Sequence, residues 1–206
     1  MPASIRSGAI ALFLGMVTMW SAVSPANAVV IDFNSLTIGN VVTNQFTNLG
    51  AFFAPSGANP AEVVDITGDA TIGGPNLTGL LAGTQGLRII NSPAFDDSVI
   101  ITFVDPADQV SEAFVTSVSF TYISDSTLNG AIRAFDAGGT LLDQALSAVG
   151  TQPNNQAFET LTVGASDIRR IEIDGFADVI IDTLTFDNPQ LVINVPEPGT
   201  LAVLGL

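Results

Sequence analysis

Along most of this chain, apolar and polar residues alternate one by one. Ile31 and Phe33 flank Asp32, and Val99, Ile101 and Phe103 share one face before the Asp105-Pro106 break. Val118, Phe120 and Tyr122 interleave with Ser117, Ser119 and Thr121. A period of two predicts strands with one buried face, and between Val29 and about Pro189 no window sustains the 3.6 period of an amphipathic helix. Ile132 and Ala134 run into Asp136-Ala137-Gly138-Gly139, and Leu141-Leu142 resumes the pattern, which predicts a hairpin. Phe158–Val163, Ile171-Glu172-Ile173 and Ile180–Phe186 complete the set. The expected fold is all-β, a single antiparallel β-sandwich over residues 29–190. A domain of about 160 residues buries roughly 70% of its unfolded surface, enough for one core without staples.

The stretch from Val63 to Gly86 departs from that pattern. Gly68, Gly73, Gly74, Gly79, Gly83 and Gly86, with Pro75 and Asn76, mark loops around short strands. Such a stretch is either a plain surface excursion or the rim of a ligand site. Its glycines have no phosphate-cradle spacing, and Asn76-Leu77-Thr78 is a three-residue match to a glycosylation acceptor.

Both ends are apolar in runs rather than alternating. Arg6 precedes Ala9–Trp20, a continuous apolar run of 12 residues, and Ser21–Ala28 follows with a helix-breaking Pro25 and small Ala26 and Ala28 in an A-x-A cleavage pattern. As a helix the run reaches about 18 Å, short of a ~30 Å bilayer core. Residues 1–28 are therefore expected to form the helix of an export signal, cut after Ala28 by signal peptidase; an uncleaved anchor is the alternative. At the other end, residues 191–206 form a linker and the string Val195-Pro196-Glu197-Pro198-Gly199-Thr200 ahead of Leu201–Leu206. Two prolines around Glu197 hold the chain extended and deny it helical hydrogen bonds.

That string resembles the PEP-CTERM sorting signal of exported bacterial proteins. The resemblance implies recognition by a membrane protease-transferase, exosortase, of the motif, a transmembrane helix and a basic tail together. Only six apolar residues follow here, about 9 Å of helix against the ~20 residues needed to cross, and no basic cluster comes after them. The expectation is a truncated copy of a longer gene product. The alternatives are a chain ending at Leu206, which would be secreted, and prolines that merely close the last strand. Val29–Phe46, Ser117–Leu142 and Ile180–Pro189 also look like the β-sandwich ectodomains found ahead of such signals, similar to jelly rolls of the galactose-binding or carbohydrate-binding type. No ligand residue carries over from that likeness, and fold alone does not establish function.

Composition narrows the chemistry. The chain has 206 residues, 20 Asp+Glu, five Lys+Arg (all Arg) and a net charge of -15; Lys, His and Cys are absent. Cleavage after Ala28 would remove Arg6 and no acid, giving -16. This excludes disulfides, imidazole or thiolate metal sites, Ser-His-Asp and Cys-His catalysis, lysine Schiff bases and a Walker loop. Nucleic acid is not an expected partner, because phosphate binding needs the basic residues missing here.

Carboxylates are what remain: Asp96-Asp97, Asp105, Asp108, Asp125, Asp136, Asp174, Asp178, Asp182 and Asp187. No cofactor is expected; calcium is the metal these oxygens would select. Asp182 is the candidate ligand, because it shares a period-2 face with Leu184 and Phe186 and an inward acid needs a cation, an arginine or several donors. Arg169 and Arg170 are chemically suitable partners for it. Paired acids could hydrolyse a glycoside, but nothing singles out one pair. Sugar binding usually adds an aromatic platform, and the mature chain keeps Tyr122 but no Trp, with Phe46, Phe52, Phe53 and Phe95 nearer loops. The function expected is an exported, non-enzymatic protein of the cell envelope or extracellular matrix. The resemblance associates it with exopolysaccharide, and the alternative is a weak, calcium-dependent carbohydrate-binding domain.

Overall fold

The computed structural model describes residues 27–55, 60–66, 85–89, 98–124, 131–147, 157–174 and 179–192. These hold twelve strands: β1 (Ala28–Ile31), β2 (Ala51–Pro55), β3 (Glu62–Asp65), β4 (Gln85–Ile89), β5 (Ser98–Phe103), β6 (Ala113–Ser124), β7 (Ala131–Phe135), β8 (Leu141–Leu146), β9 (Ala157–Ile168), β10 (Arg170–Asp174), β11 (Val179–Asp187) and β12 (Gln190–Leu191). A 3-10 turn at Thr47–Leu49 is the one helical piece among the described residues. The expected signal helix and the Val195–Thr200 motif lie outside them.

The strands form two antiparallel sheets. One has five strands in the order β2-β5-β10-β7-β8. The other has seven, with β6 between β9 and β11 and with β4 and β1 sharing the far edge of β11. β12 follows β11 along the same edge of β6, since Phe186 faces Val118 and Gln190 faces Phe114. Pro189, which has no N–H to give, falls in the gap.

The chain changes sheets at one residue. β9 is bonded to β6, β10 lies between β5 and β7, and only Arg169 separates β9 from β10. Its N–H donates to the Phe135 carbonyl at 2.9 Å and its carbonyl accepts from the Phe103 N–H at 2.9 Å. The backbone thus stays hydrogen-bonded through the corner, as a buried crossing requires.

Alternate residues of both sheets meet in one core. Val99, Ile101, Phe103, Ile132, Ala134, Ile171 and Ile173 come from the five-stranded sheet; Leu87, Val118, Phe120, Leu161, Val163, Leu184 and Phe186 come from the other. Phe103 and Phe186 join the layers with ring centroids 5.2 Å apart. Phe33, Phe46 and Phe53 make a second knot, with centroids 5.6 to 6.1 Å apart.

One expectation needs correcting. The alternation through Ile31 and Phe33 predicts a strand that includes both, yet β1 stops at Ile31 and Phe33 takes φ 58. Its ring is fully buried in the aromatic knot, and the Leu36 N–H donates to its carbonyl at 3.1 Å. Burial of a large ring, worth about 1.5–3 kcal/mol, offsets a left-handed backbone costing about 1–2 kcal/mol. The glycine-rich stretch from Val63 to Gly86 begins and ends in strands β3 and β4, and its interior lies outside the described residues.

Candidate functional site

The acids at strand ends are mostly taken up by the backbone beside them. Asp105 accepts from the Ala107 N–H at 2.9 Å. Asp108 accepts from the Val110 and Ser111 N–H groups at 2.9 and 2.8 Å and from the Ser111 hydroxyl. The Ser111 hydroxyl first, then those amides, holds the Asp108 carboxyl below the ordinary aspartate range. Asp187 accepts from the Thr116 N–H and hydroxyl and the Ser117 N–H at 2.8 to 3.1 Å, where the pairing of β6 with β9 shifts register. Asp96, Asp97, Asp125 and Asp178 lie outside the described residues.

Asp182 is buried, 3% exposed, as its face predicts. The strand around it is not regular, however. Ile181 faces Tyr122 and Thr183 faces Thr121, so Asp182 is the extra residue of a β-bulge. Its Oδ2 accepts from the Thr183 hydroxyl at 3.0 Å. Neither expected arginine reaches it. Arg169 Nε donates to Asp167 Oδ1 at 2.6 Å, its neighbour two residues back at the corner, while Arg170 lies in the other sheet. Among the described residues no group of three or more carboxylates comes together to hold a metal. At the expected export cut, Ala28 is the first residue of β1, opposite Asp187; Ala26 lies outside the described residues.

The side chains that do converge are on the outer face of the five-stranded sheet. β10 alternates strictly: Ile171 and Ile173 enter the core, and Arg170, Glu172 and Asp174 are half-buried on the other side. Antiparallel register extends each into a row. The first is Phe52, Thr102, Arg170, Phe135 and Leu141; the second is Ala54, Ile100, Glu172, Arg133 and Gln144. Arg133 bonds Asp174 at 3.1 Å and stands 3.9 Å from Glu172. Glu172 also accepts from the Ser98 hydroxyl at 3.3 Å. Phe52, at the β2 edge, is 39% exposed.

The middle of the first row, Thr102 and Arg170, also lines a cleft of about 130 Å³ together with Glu112, Asp136, Gly139 and Arg169 among others. The two arginines differ. Arg169 is ion-paired with Asp167 and its guanidinium carbon lies 5.4 Å from the centre of the Phe114 ring. Arg170 lies 4.7 Å over the Phe135 ring and makes no ion pair among the described residues. Its Nε is buried with no hydrogen-bond partner, so packing on the ring, rather than a carboxylate, holds it in place. Asp136 closes the hairpin from β7 to β8. The Thr140 N–H, donating to Oδ1 at 2.7 Å, is the main cause that lowers the Asp136 carboxyl below the ordinary range.

No family model and no curated protein matches this chain. Among solved structures it is similar to the K2 cleaved adhesin domain of Lys-gingipain, with a TM-score of 0.48 at 12% identity, covering 78% of this chain and 99% of that one. It is also similar to the family 29 carbohydrate-binding module CBM29-2, solved as a mutant with mannohexaose, with a TM-score of 0.42 at 9% identity, covering 80% and 94%. A third is CsCBM6-3 from Clostridium stercorarium, solved with cellobiose, with a TM-score of 0.38 at 14% identity, covering 72% and 98%. None of these likenesses identifies a residue of this chain.

Sequence reasoning missed this face. Its signal was the alternation Arg170-Ile171-Glu172-Ile173-Asp174, whose polar positions are all charged. Reading the isoleucines alone finds the strand and passes over what its other side presents.

Proposed function

We propose that this chain is an exported, non-enzymatic β-sandwich, jelly-roll-like in layout, that binds a saccharide on the outer face of its five-stranded sheet. The observation that carries the reading is the row structure around β10. Sugar hydroxyls need donors and acceptors side by side, and Arg133 offers the first with Asp174 and Glu172, 3.1 and 3.9 Å from it, offering the second. Phe52 adds one exposed ring against which the apolar face of a pyranose can lie. With a single such ring, the expected affinity is weak, with Kd on the order of 1 mM, or about -4 kcal/mol.

Export by the N-terminal signal and delivery by the PEP-CTERM-like segment would place this face among exopolysaccharide of the envelope or matrix. Signal peptidase and, with a complete sorting segment, exosortase are the processing partners in this reading. Titrating neutral oligosaccharides into the protein purified from expressing cells, with and without a chelator, tests the binding. Saturable binding that Phe52→Ala weakens at least fivefold is expected, and no saturation for any sugar tested would overturn it. Fractionation of the same cells tests export: the chain is expected outside the cytosol and shortened by the signal.

A further inference from the structure

We infer that the Arg170 cleft selects saccharides bearing a carboxylate, taking a uronic acid at one end of the chain that lies on the sheet face. This rests on the saccharide reading above and names its substrate class. In a chain of net charge -15, an arginine without a carboxylate partner is an unusual use of one of five basic residues. Arg170 is such an arginine among the described residues, held on Phe135 with its charge still available to a ligand. A guanidinium fixed by ring packing has already lost its rotamer freedom, so an incoming anion need not order it. Its planar fork matches a carboxylate.

The remaining lining sets what must accompany that carboxylate. Glu112 and Asp136 line the same cleft and accept hydrogen bonds but give none when ionised, so they suit sugar hydroxyls and repel a second anion. Arg169, next in the chain, is already neutralised by Asp167. The cleft therefore presents one available cation beside acceptors, which fits one carboxylate on a polyhydroxylated ring and rejects sulfate-dense or phosphate-dense polymers. At about 130 Å³ it is smaller than the ~300 Å³ of sites that enclose a drug-sized molecule. One terminal residue's substituents fit, while the rest of the chain lies on the face that shares Thr102 and Arg170 with the cleft. Acids beyond a Debye length of about 8 Å are largely screened at physiological salt, so the charges that oppose the carboxylate are Glu112 and Asp136 of the cleft itself, and Arg170 must outweigh them by direct contact.

The test compares a neutral oligosaccharide capped by one terminal uronic acid with its methyl ester, which removes the charge and adds one methyl group, by calorimetry and amide chemical-shift titration of the purified protein. The acid is expected to bind at least tenfold more tightly than the ester. In Arg170→Gln the acid and the ester should bind equally, the tenfold preference being lost, with the thermal midpoint as a folding control. If that variant does not fold, Arg170→Lys keeps the charge without the fork and should retain only part of the preference. Equal affinity for acid and ester overturns the inference and leaves the saccharide reading standing. Binding of neither, with the neutral oligosaccharides also failing, overturns both.

Discussion

β10 and β11 are the middle strands of the two sheets, and they use their outer faces differently. β10 has isoleucines inside and Arg170, Glu172 and Asp174 outside, so one side packs and the other meets solvent. Near its start β11 has Ile180 and Ile181, both buried, on opposite sides of the sheet. Ile181 faces Leu87 and joins the main core; Ile180 pairs with Arg88 on the other side, where Ile66 and Gly86 meet it. Further along, the outer side of the seven-stranded sheet carries uncharged hydroxyls in register, Thr160–Thr121–Thr183 and Thr162–Ser119–Thr185, with Thr121 and Thr160 3.1 Å apart. One sheet thus closes part of its outside with apolar packing beside Arg88 and Glu62 and lines a further part with hydroxyls, while the other carries charged side chains at every outer position of its middle strand. The proposed saccharide face lies on the sheet whose middle strand is charged on its outer side.

The sharpest way to break that contrast is to truncate on both sides of both strands. Ile171→Ala and Ile181→Ala, each inside the core, should cost about 2–5 kcal/mol in denaturant unfolding. Ile180→Ala, fully buried on the outer side, should cost a similar amount, whereas Glu172→Gln on the outer side of β10 should cost less than about 1 kcal/mol. A loss below about 1 kcal/mol for Ile180→Ala would mean that the outer side of β11 is not packed.

Gly86 sharpens the same point at a smaller magnitude. A Cβ built there would lie 2.5 Å from Ile180 Cγ2 and 3.0 Å from both Ile66 Cδ1 and the Ile181 carbonyl. Gly86→Ala should destabilise by about 1–3 kcal/mol through overpacking. Combined with Ile180→Ala it should cost less than the sum, because the second change removes the atom in the way. Strict additivity in the double variant would place the strain against backbone instead.

Much of this was legible in the alternation, and the misses have physical causes. β5, β10 and the β7–β8 hairpin follow from period two bounded by Asp105-Pro106 and Asp136–Gly139. β2 was not, because Ala51–Pro55 carries two adjacent Phe residues that point opposite ways, Phe53 into the core and Phe52 out. The burial of Asp182 was readable from its spacing, but the bulge that places it was not, since an inserted residue leaves no compositional mark when its neighbours are Ile181 and Thr183. The cleft depends on bringing together distant segments, those of Thr102, Asp136 and Arg170, which no local pattern encodes.

Between the charged face and the core, the Arg133 pair predicts a middling effect. Arg133 is 31% exposed and Asp174 14%, so Arg133→Met leaves a carboxylate with its main partner gone but with solvent nearby. The expected loss is about 1 kcal/mol or less, recovered in part by Asp174→Asn in the same chain. Failure of the second change to recover anything would show that Glu172, 3.9 Å from Arg133, is the partner that matters.

The smallest effect belongs to Asp136, at the mouth of the cleft. Its carboxyl is held below the ordinary aspartate range by the Thr140 amide, so the ionised form is the one the hairpin favours. A group with a depressed folded pKa contributes stability at pH above its unfolded value and loses it as pH falls through the folded one. The turn should therefore be indifferent between pH 5 and 8 and loosen only below about pH 4, read as faster Thr140 amide exchange. Asp136→Asn, which keeps the accepting oxygen without the charge, should remove that acid limb while leaving the turn formed at neutral pH. Because Asp136 stays ionised from pH 5 to 8, any preference of the cleft for an acidic sugar should be flat over that range. A preference that changes there would point to a different titrating group than the hairpin aspartate.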